Sequence, residues 1–132
     1  MDYLVSIIRT SPLLIHFSFY NADHDGGTIY VPRPLGPLGY FISLTISDAG
    51  NELVYETFKP KVKLKLHPER EESYHALDPG YTYGSVLAVE DFSPDPGAYQ
   101  LSVAYSNQEF RGFPGQSLGE MTYKMRLSFQ VS

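Results

Sequence analysis

The sequence predicts an all-β protein, a two-sheet antiparallel sandwich of about 7–9 strands, and three observations predict it. Apolar side chains recur at every second position in segment after segment, which puts one face of each strand inside and the other outside. No stretch keeps an apolar period of 3.6 residues, and 10 Pro and 11 Gly punctuate the chain, so no helix competes. The 11 Tyr and 8 Phe suit pleated, half-buried surfaces. With 132 residues, 42% of them hydrophobic, there is material for one core and little room for a second, so residues 1–132 are expected to form a single domain.

Taken in order, residues 1–9 offer no basic n-region, long apolar run or small-residue cleavage site, and so do not read as a signal peptide. In Leu13–Tyr20 the set Leu13, Ile15, Phe17, Phe19 faces one way and Leu14, His16, Ser18, Tyr20 the other. The prolines of the segment 30–39 imply a rigid, extended connection that crosses between sheets. Tyr40, Ile42, Leu44 and Ile46 alternate with Phe41, Ser43, Thr45 and Ser47, and the turn chemistry of Asp48-Ala49-Gly50-Asn51 leads into Leu53-Val54-Tyr55, giving a hairpin. Val62, Leu64 and Leu66 alternate with Lys61, Lys63 and Lys65 after Pro60, the composition of an edge strand guarded against pairing with other chains. The run 67–75 is charged and reads as a solvated loop. Strands follow over residues 83–89, over Tyr99, Leu101, Val103 and Tyr105, and from Met121 to the end of the chain.

One motif selects among sandwiches. Asp95-Pro96-Gly97-Ala98-Tyr99-Gln100-Leu101 resembles the start of strand F in immunoglobulin domains, where the Tyr hydroxyl bonds to upstream backbone as a tyrosine corner. Tyr99 corresponds to that tyrosine, while Leu101 replaces the family's second Cys and no Trp is present. The resemblance therefore implies the immunoglobulin-like fold and not an antibody domain. Over residues 40–105, the order of a strand, Asp48-Ala49-Gly50-Asn51, Leu77-Asp78-Pro79-Gly80 and Pro96-Gly97-Ala98-Tyr99 is similar to bacterial immunoglobulin-like modules, among them the intracellular proteinase inhibitor type and the modules attached to secreted metalloproteases.

Composition removes several functions. Without Cys there are no disulfides, no thiolate nucleophile and no Cys-ligated metal. A net charge of −5 gives no global attraction to nucleic acid or anionic lipid. No transmembrane run and no Asn-x-Ser/Thr sequon occur, so a cytoplasmic setting is the expectation. No Gly-x-Ser-x-Gly elbow, His-Glu-x-x-His pair or phosphate-cradling loop is present, so the chain is expected not to be an enzyme and to need no cofactor.

Function is then expected in the loops. The longest, 106–120, takes the place of an antibody's third variable loop and is long for a hairpin. Its Phe110, Arg111 and Phe113, with Asn107 and Glu109, have the aromatic-plus-Arg composition of interface hot spots and are the expected partner-binding residues. The alternative is that both rings fold back and cap the sandwich. Loop 21–27 should lie at the same end; its Asp23, His24 and Asp25 are weak candidates for metal ligation, since turns use the same residue types. The leading expectation is a protein-binding module, in its sharpest form a protease inhibitor that inserts Arg111. Two alternatives stand beside it: a carbohydrate-binding domain stacking sugars on Tyr30, Tyr81 or Phe113, and an assembly module that dimerises or docks through an outer face bearing Leu14, Tyr20 and Phe41.

Overall fold

The structure, a computed structural model, describes residues 1–58, 67–108, 110, 117–119 and 122–132. Nine strands form three sheets among these residues: β1 (Asp2–Thr10), β2 (Leu13–Tyr20), β3 (Ile29–Pro32), β4 (Ile42–Asp48), β5 (Leu53–Glu56), β6 (Tyr74–Leu77), β7 (Thr82–Val89), β8 (Gly97–Ser106) and β9 (Thr122–Val131). The sheet orders are β1-β2-β7, β5-β4-β8-β9 and β3-β6, and every named strand pair is antiparallel. The first two sheets match the A-B-E and C′-C-F-G sheets of an immunoglobulin-type sandwich. The departure is the fourth position beside β7, because β6 pairs with β3 to make a separate ribbon. The Lys61, Lys63 and Lys65 edge strand expected from the sequence lies outside the described residues.

Alternation explains the layers. Leu13, Ile15, Phe17 and Phe19 of β2 are fully buried, as are Ile42, Leu44 and Ile46 of β4 and Leu101 of β8. Each such side chain contributes roughly 1.5–3 kcal/mol on leaving water. Aromatic rings knit the two sheets together: Tyr105 of β8 lies 5.8 Å from Phe17 and 5.0 Å from Phe19, and Tyr3 of β1 stacks on Tyr123 of β9 at 4.0 Å. That stack links the edges of the two sheets on one side.

Local chemistry closes the hairpins. In the β4–β5 turn the Asp48 carboxylate accepts from the backbone N–H groups of Gly50 and Glu52, and Asn51 takes a positive φ of 63°. The tyrosine corner is present, with Tyr99 Oη donating to the carbonyl of Asp95 at 2.6 Å. Two strands depart from the sequence expectation. Residues 2–10 form β1, whose inward Tyr3, Val5 and Ile7 pack on the core. Tyr74–Leu77 form β6 where a solvated loop was expected to end, after a single 3₁₀ turn at Glu71–Ser73. Within the segment 30–39, Tyr30, Val31 and Pro32 belong to β3, which pairs with β6 and, through an isolated parallel bridge at Tyr30, with Leu118. No helix among the described residues is long and apolar enough to cross a membrane.

Candidate binding surfaces

At one end of the sandwich, the segments leaving β2 and β8 meet. Tyr30 N–H donates to the carbonyl of Ser117, and Gly119 N–H donates back to the Tyr30 carbonyl at 3.0 Å. The 21–27 loop is tied to the 78–81 turn by Asn21, which is fully buried. Its side-chain amide donates to the carbonyls of Leu77 and Gly27, its backbone N–H to Tyr81, and its carbonyl accepts from Gly80 at 2.7 Å. Thr28 Oγ1 donates to Asp78 across the same junction. A buried Asn that satisfies this many groups is a structural tie.

Of the weak metal candidates, Asp23 has a carboxylate oxygen already engaged. Asp23 Oδ1 accepts from the backbone N–H groups of Asp25 and Gly26, closing the polar turn. Among the described residues no group of three or more His, Asp or Glu side chains converges, Asp23, His24 and Asp25 included.

The partner-binding candidates divide. Phe110 is fully buried, edge-on to Phe41 at 5.0 Å and to Tyr74 at 5.3 Å, and Asn107 is 1% exposed. Neither presents a side chain to a partner. This corrects the expectation for both: the Phe110 ring is drawn into the core because Tyr74 at the start of β6 and Phe41 just before β4 supply an aromatic slot for it. Glu109, Arg111 and Phe113 lie outside the described residues. Of the carbohydrate candidates, Tyr81 is exposed, Tyr30 is partly buried against the core, and Phe113 is again outside.

Beside Asn107 the core holds polar atoms that lack good partners. Tyr105 Oη and both side-chain polar atoms of Asn107 are buried without a well-formed hydrogen bond. Burial pushes the Tyr105 phenol far above its ordinary range; Tyr3 adds to the shift and the nearby Asn107 amide opposes it.

On the flank, Arg33 is committed to holding the ribbon. Its Nε and Nη2 donate to the carbonyls of Glu72 and Tyr74, at 3.0 and 2.9 Å. A shallow hollow of about 330 Å³ beside it is lined by Tyr30, Arg33, Glu71, Glu72, Tyr74 and Ala76. Tyr83 stacks on His75 at 4.0 Å, and burial, followed by the charge of Arg33, lowers the His75 pKa, with Asp78 acting the other way.

The two large sheets present very different outer faces. On β1-β2-β7 the register sets Leu4 beside Ser18 and Gly84, Ser6 beside His16 and Val86, and Leu14 beside Ala88. Leu4, Ile8 and Val86 are 46%, 54% and 53% exposed, and carboxylate and guanidinium groups enter at the ends, with Asp2 and Arg9. Gly84 keeps the centre flat, because a Cβ there would stand 2.2 Å from Ser18 Cβ. Leu14 and Tyr20, expected on an apolar outer face, do share this one; Phe41 does not, being buried beside Phe110. On β5-β4-β8-β9 the outer face is a trough of about 390 Å³ with small side chains on its floor and Lys124 and Arg126 along one wall.

Sequence reasoning placed Leu14 and Tyr20 on the first of these faces but missed the share of β1 in it, for a physical reason. Period-two reading looks for polar side chains between the apolar ones, and in β1 the outward positions Leu4 and Ile8 are apolar too. A strand with apolar residues at both inward and outward positions, Leu4-Val5 and Ile7-Ile8 on either side of Ser6, was the signal available. In comparison with known proteins, no protein-family model and no curated protein matches the chain.

Proposed function

We propose that the chain is a non-enzymatic protein-binding module that presents the outer face of its β1-β2-β7 sheet to another protein. One observation carries this reading: between Asp2 and Arg9 the outward side chains, Leu4, Ser6, Ile8, Leu14, His16, Tyr20, Val86 and Ala88, are without a carboxylate, ammonium or guanidinium group. Depletion of charge at the centre, with apolar and aromatic side chains, is what distinguishes interface cores from ordinary surface. The test replaces Leu4 and Val86 with Lys together. Both side chains are about half exposed, so the melting temperature should move by only a few degrees while partner capture is lost. Hydrogen-exchange protection by the captured partner should fall on β1, β2 and β7; protection confined to the loops, or capture indifferent to the two lysines, refutes the reading.

Protease inhibition is a second reading, supported by the fixing of both flanks of residues 111–116. Phe110 is locked in the core on one side, and Ser117 and Gly119 bond to Tyr30 on the other. Firmly held flanks lower the ordering cost of a loop that enters a cleft. Its test is inhibition of a protease that cleaves after basic residues, expected to disappear in Arg111→Ala.

A further inference from the structure

The outer face of the β5-β4-β8-β9 sheet carries its charges in a definite order. Register sets Glu56 beside Thr45, Thr45 beside Ser102, and Ser102 beside Arg126. Residues directly opposite in an antiparallel pair share a face, so one row crosses the sheet from an acidic edge, over two small hydroxyl side chains, to a basic edge. Strands stand ~4.8 Å apart, which separates the two ends of this row by ~14 Å, too far to pair within the chain. The next row, Ser43, Ala104 and Lys124, repeats the small floor and the basic wall. A second hollow of about 440 Å³ continues along the same face past Gln100, Ser128 and Gln130. The acidic edge is also an apolar one, since Leu53, Val54 and Phe58 there are 58%, 44% and 75% exposed.

The geometry points to a second copy of this chain as the occupant of this face, packed sheet to sheet about a two-fold axis that runs parallel to the strands between β4 and β8. Such an axis keeps each residue's position along the strands and exchanges the two edges. Glu56 then meets Arg126 of the second copy on both sides of the axis, and Thr45 lies over Ser102 of the second copy. An axis across the strands would set β9 over β9 and bring Lys124 and Arg126 toward their own copies, a like-charge contact that is strongly disfavoured. An acidic peptide would match Lys124 and Arg126 but would leave Glu56 and the exposed Leu53, Val54 and Phe58 unmatched. The self-complementary pattern is what a two-fold interface requires.

Dimensions set the strength. Stacked sheets lie ~10 Å apart, a gap that Arg126 and Glu56 can bridge while the small floor leaves room for their stems. The face measures roughly 19 by 27 Å, on the order of 500 Å² in projection, against ~800 Å² per partner in a standard interface, so the dimer is a weak one in rapid exchange. It leaves both β1-β2-β7 faces open on the far sides and does not rest on the function proposed above.

Sedimentation velocity on the full chain from about 5 to about 500 μM should show concentration-dependent monomer–dimer exchange. Arg126→Glu and Glu56→Arg should each weaken the dimer about tenfold or more, and the double reversal E56R/R126E should restore it to within about threefold. Thermal melts verify that these exposed substitutions leave the fold intact. Ala104→Trp fills the trough floor without touching either charge and should abolish the dimer. A chain monomeric throughout the range overturns the inference. So does a dimer indifferent to the single reversals or to Ala104→Trp, or a double reversal no better than the singles.

Discussion

Replacing Phe110 with Ala removes a ring that is fully buried between Phe41 and Tyr74 and joins the segment after β8 to both β4 and the β3–β6 ribbon. Buried Phe→Ala changes cost ~3–5 kcal/mol through lost transfer energy and the cavity left behind. Two edge-on aromatic contacts place this site in the middle of that range or above it, at ~4 kcal/mol. A chain of 132 residues unfolds with ~0.28 kcal/mol/K of entropy at ~2.1 cal/mol/K per residue, so the melting temperature should fall by ~14 °C. Phe58→Ala is the matched control: the same atoms are deleted from a side chain that is 75% exposed, and the change should stay within ~0.5 kcal/mol. Urea unfolding, followed by circular dichroism and tyrosine fluorescence, measures both, with equal slopes required for the comparison. A Phe110→Ala protein that melts within about 3 °C of wild type refutes the placement of this ring and returns it to the surface, where a partner could use it.

Asn21→Ala should destabilise by ~1–3 kcal/mol, since it strips the carbonyls of Leu77 and Gly27 of their donor in a closed junction; urea midpoints report it, and a neutral result contradicts the tie. The phenol of Tyr55 is raised to about 12, first by burial, then by its hydrogen bond to Asp91 and by that carboxylate's charge. A folded pKa above the unfolded value near 10 means that the contribution of Tyr55 to stability is complete below pH 10 and is lost as pH rises from 10 to 12. Absorbance titration at alkaline pH should show one phenol ionising earlier in Asp91→Asn than in wild type, and identical curves would exclude this coupling.

Much of the sandwich was legible because burial on one face imposes a period of two. Leu13, Ile15, Phe17 and Phe19 announce β2, the tail of the chain announces β9, and Asp48 and Asn51 announce their turn through the backbone conformations they favour. The strands that escaped were those with no such contrast. Leu4 and Ile8 erase the alternation of β1, and β6 is too short to show one. Pro32 closes a ribbon that exists only because β3 and β6 pair with each other across more than forty residues of chain.

The candidate surfaces were less legible, because exposure depends on neighbours that are distant in sequence. Phe110 and Phe58 are the same residue type beside loops, and nothing local distinguishes them; the slot between Phe41 and Tyr74 decides which one is buried. Asp23 has the composition of a metal ligand, yet its carboxylate is taken by backbone N–H groups two and three residues on. By itself, then, the sequence determined the fold class, most inward faces and the tyrosine corner, since each follows from local periodicity or local hydrogen bonding. Only the tertiary structure decided which strands stand side by side. That pairing sets Glu56, Thr45, Ser102 and Arg126 in one row and leaves the β1-β2-β7 face without carboxylate, ammonium or guanidinium groups between its ends, because a surface is made by strands that are neighbours in space and strangers in the chain.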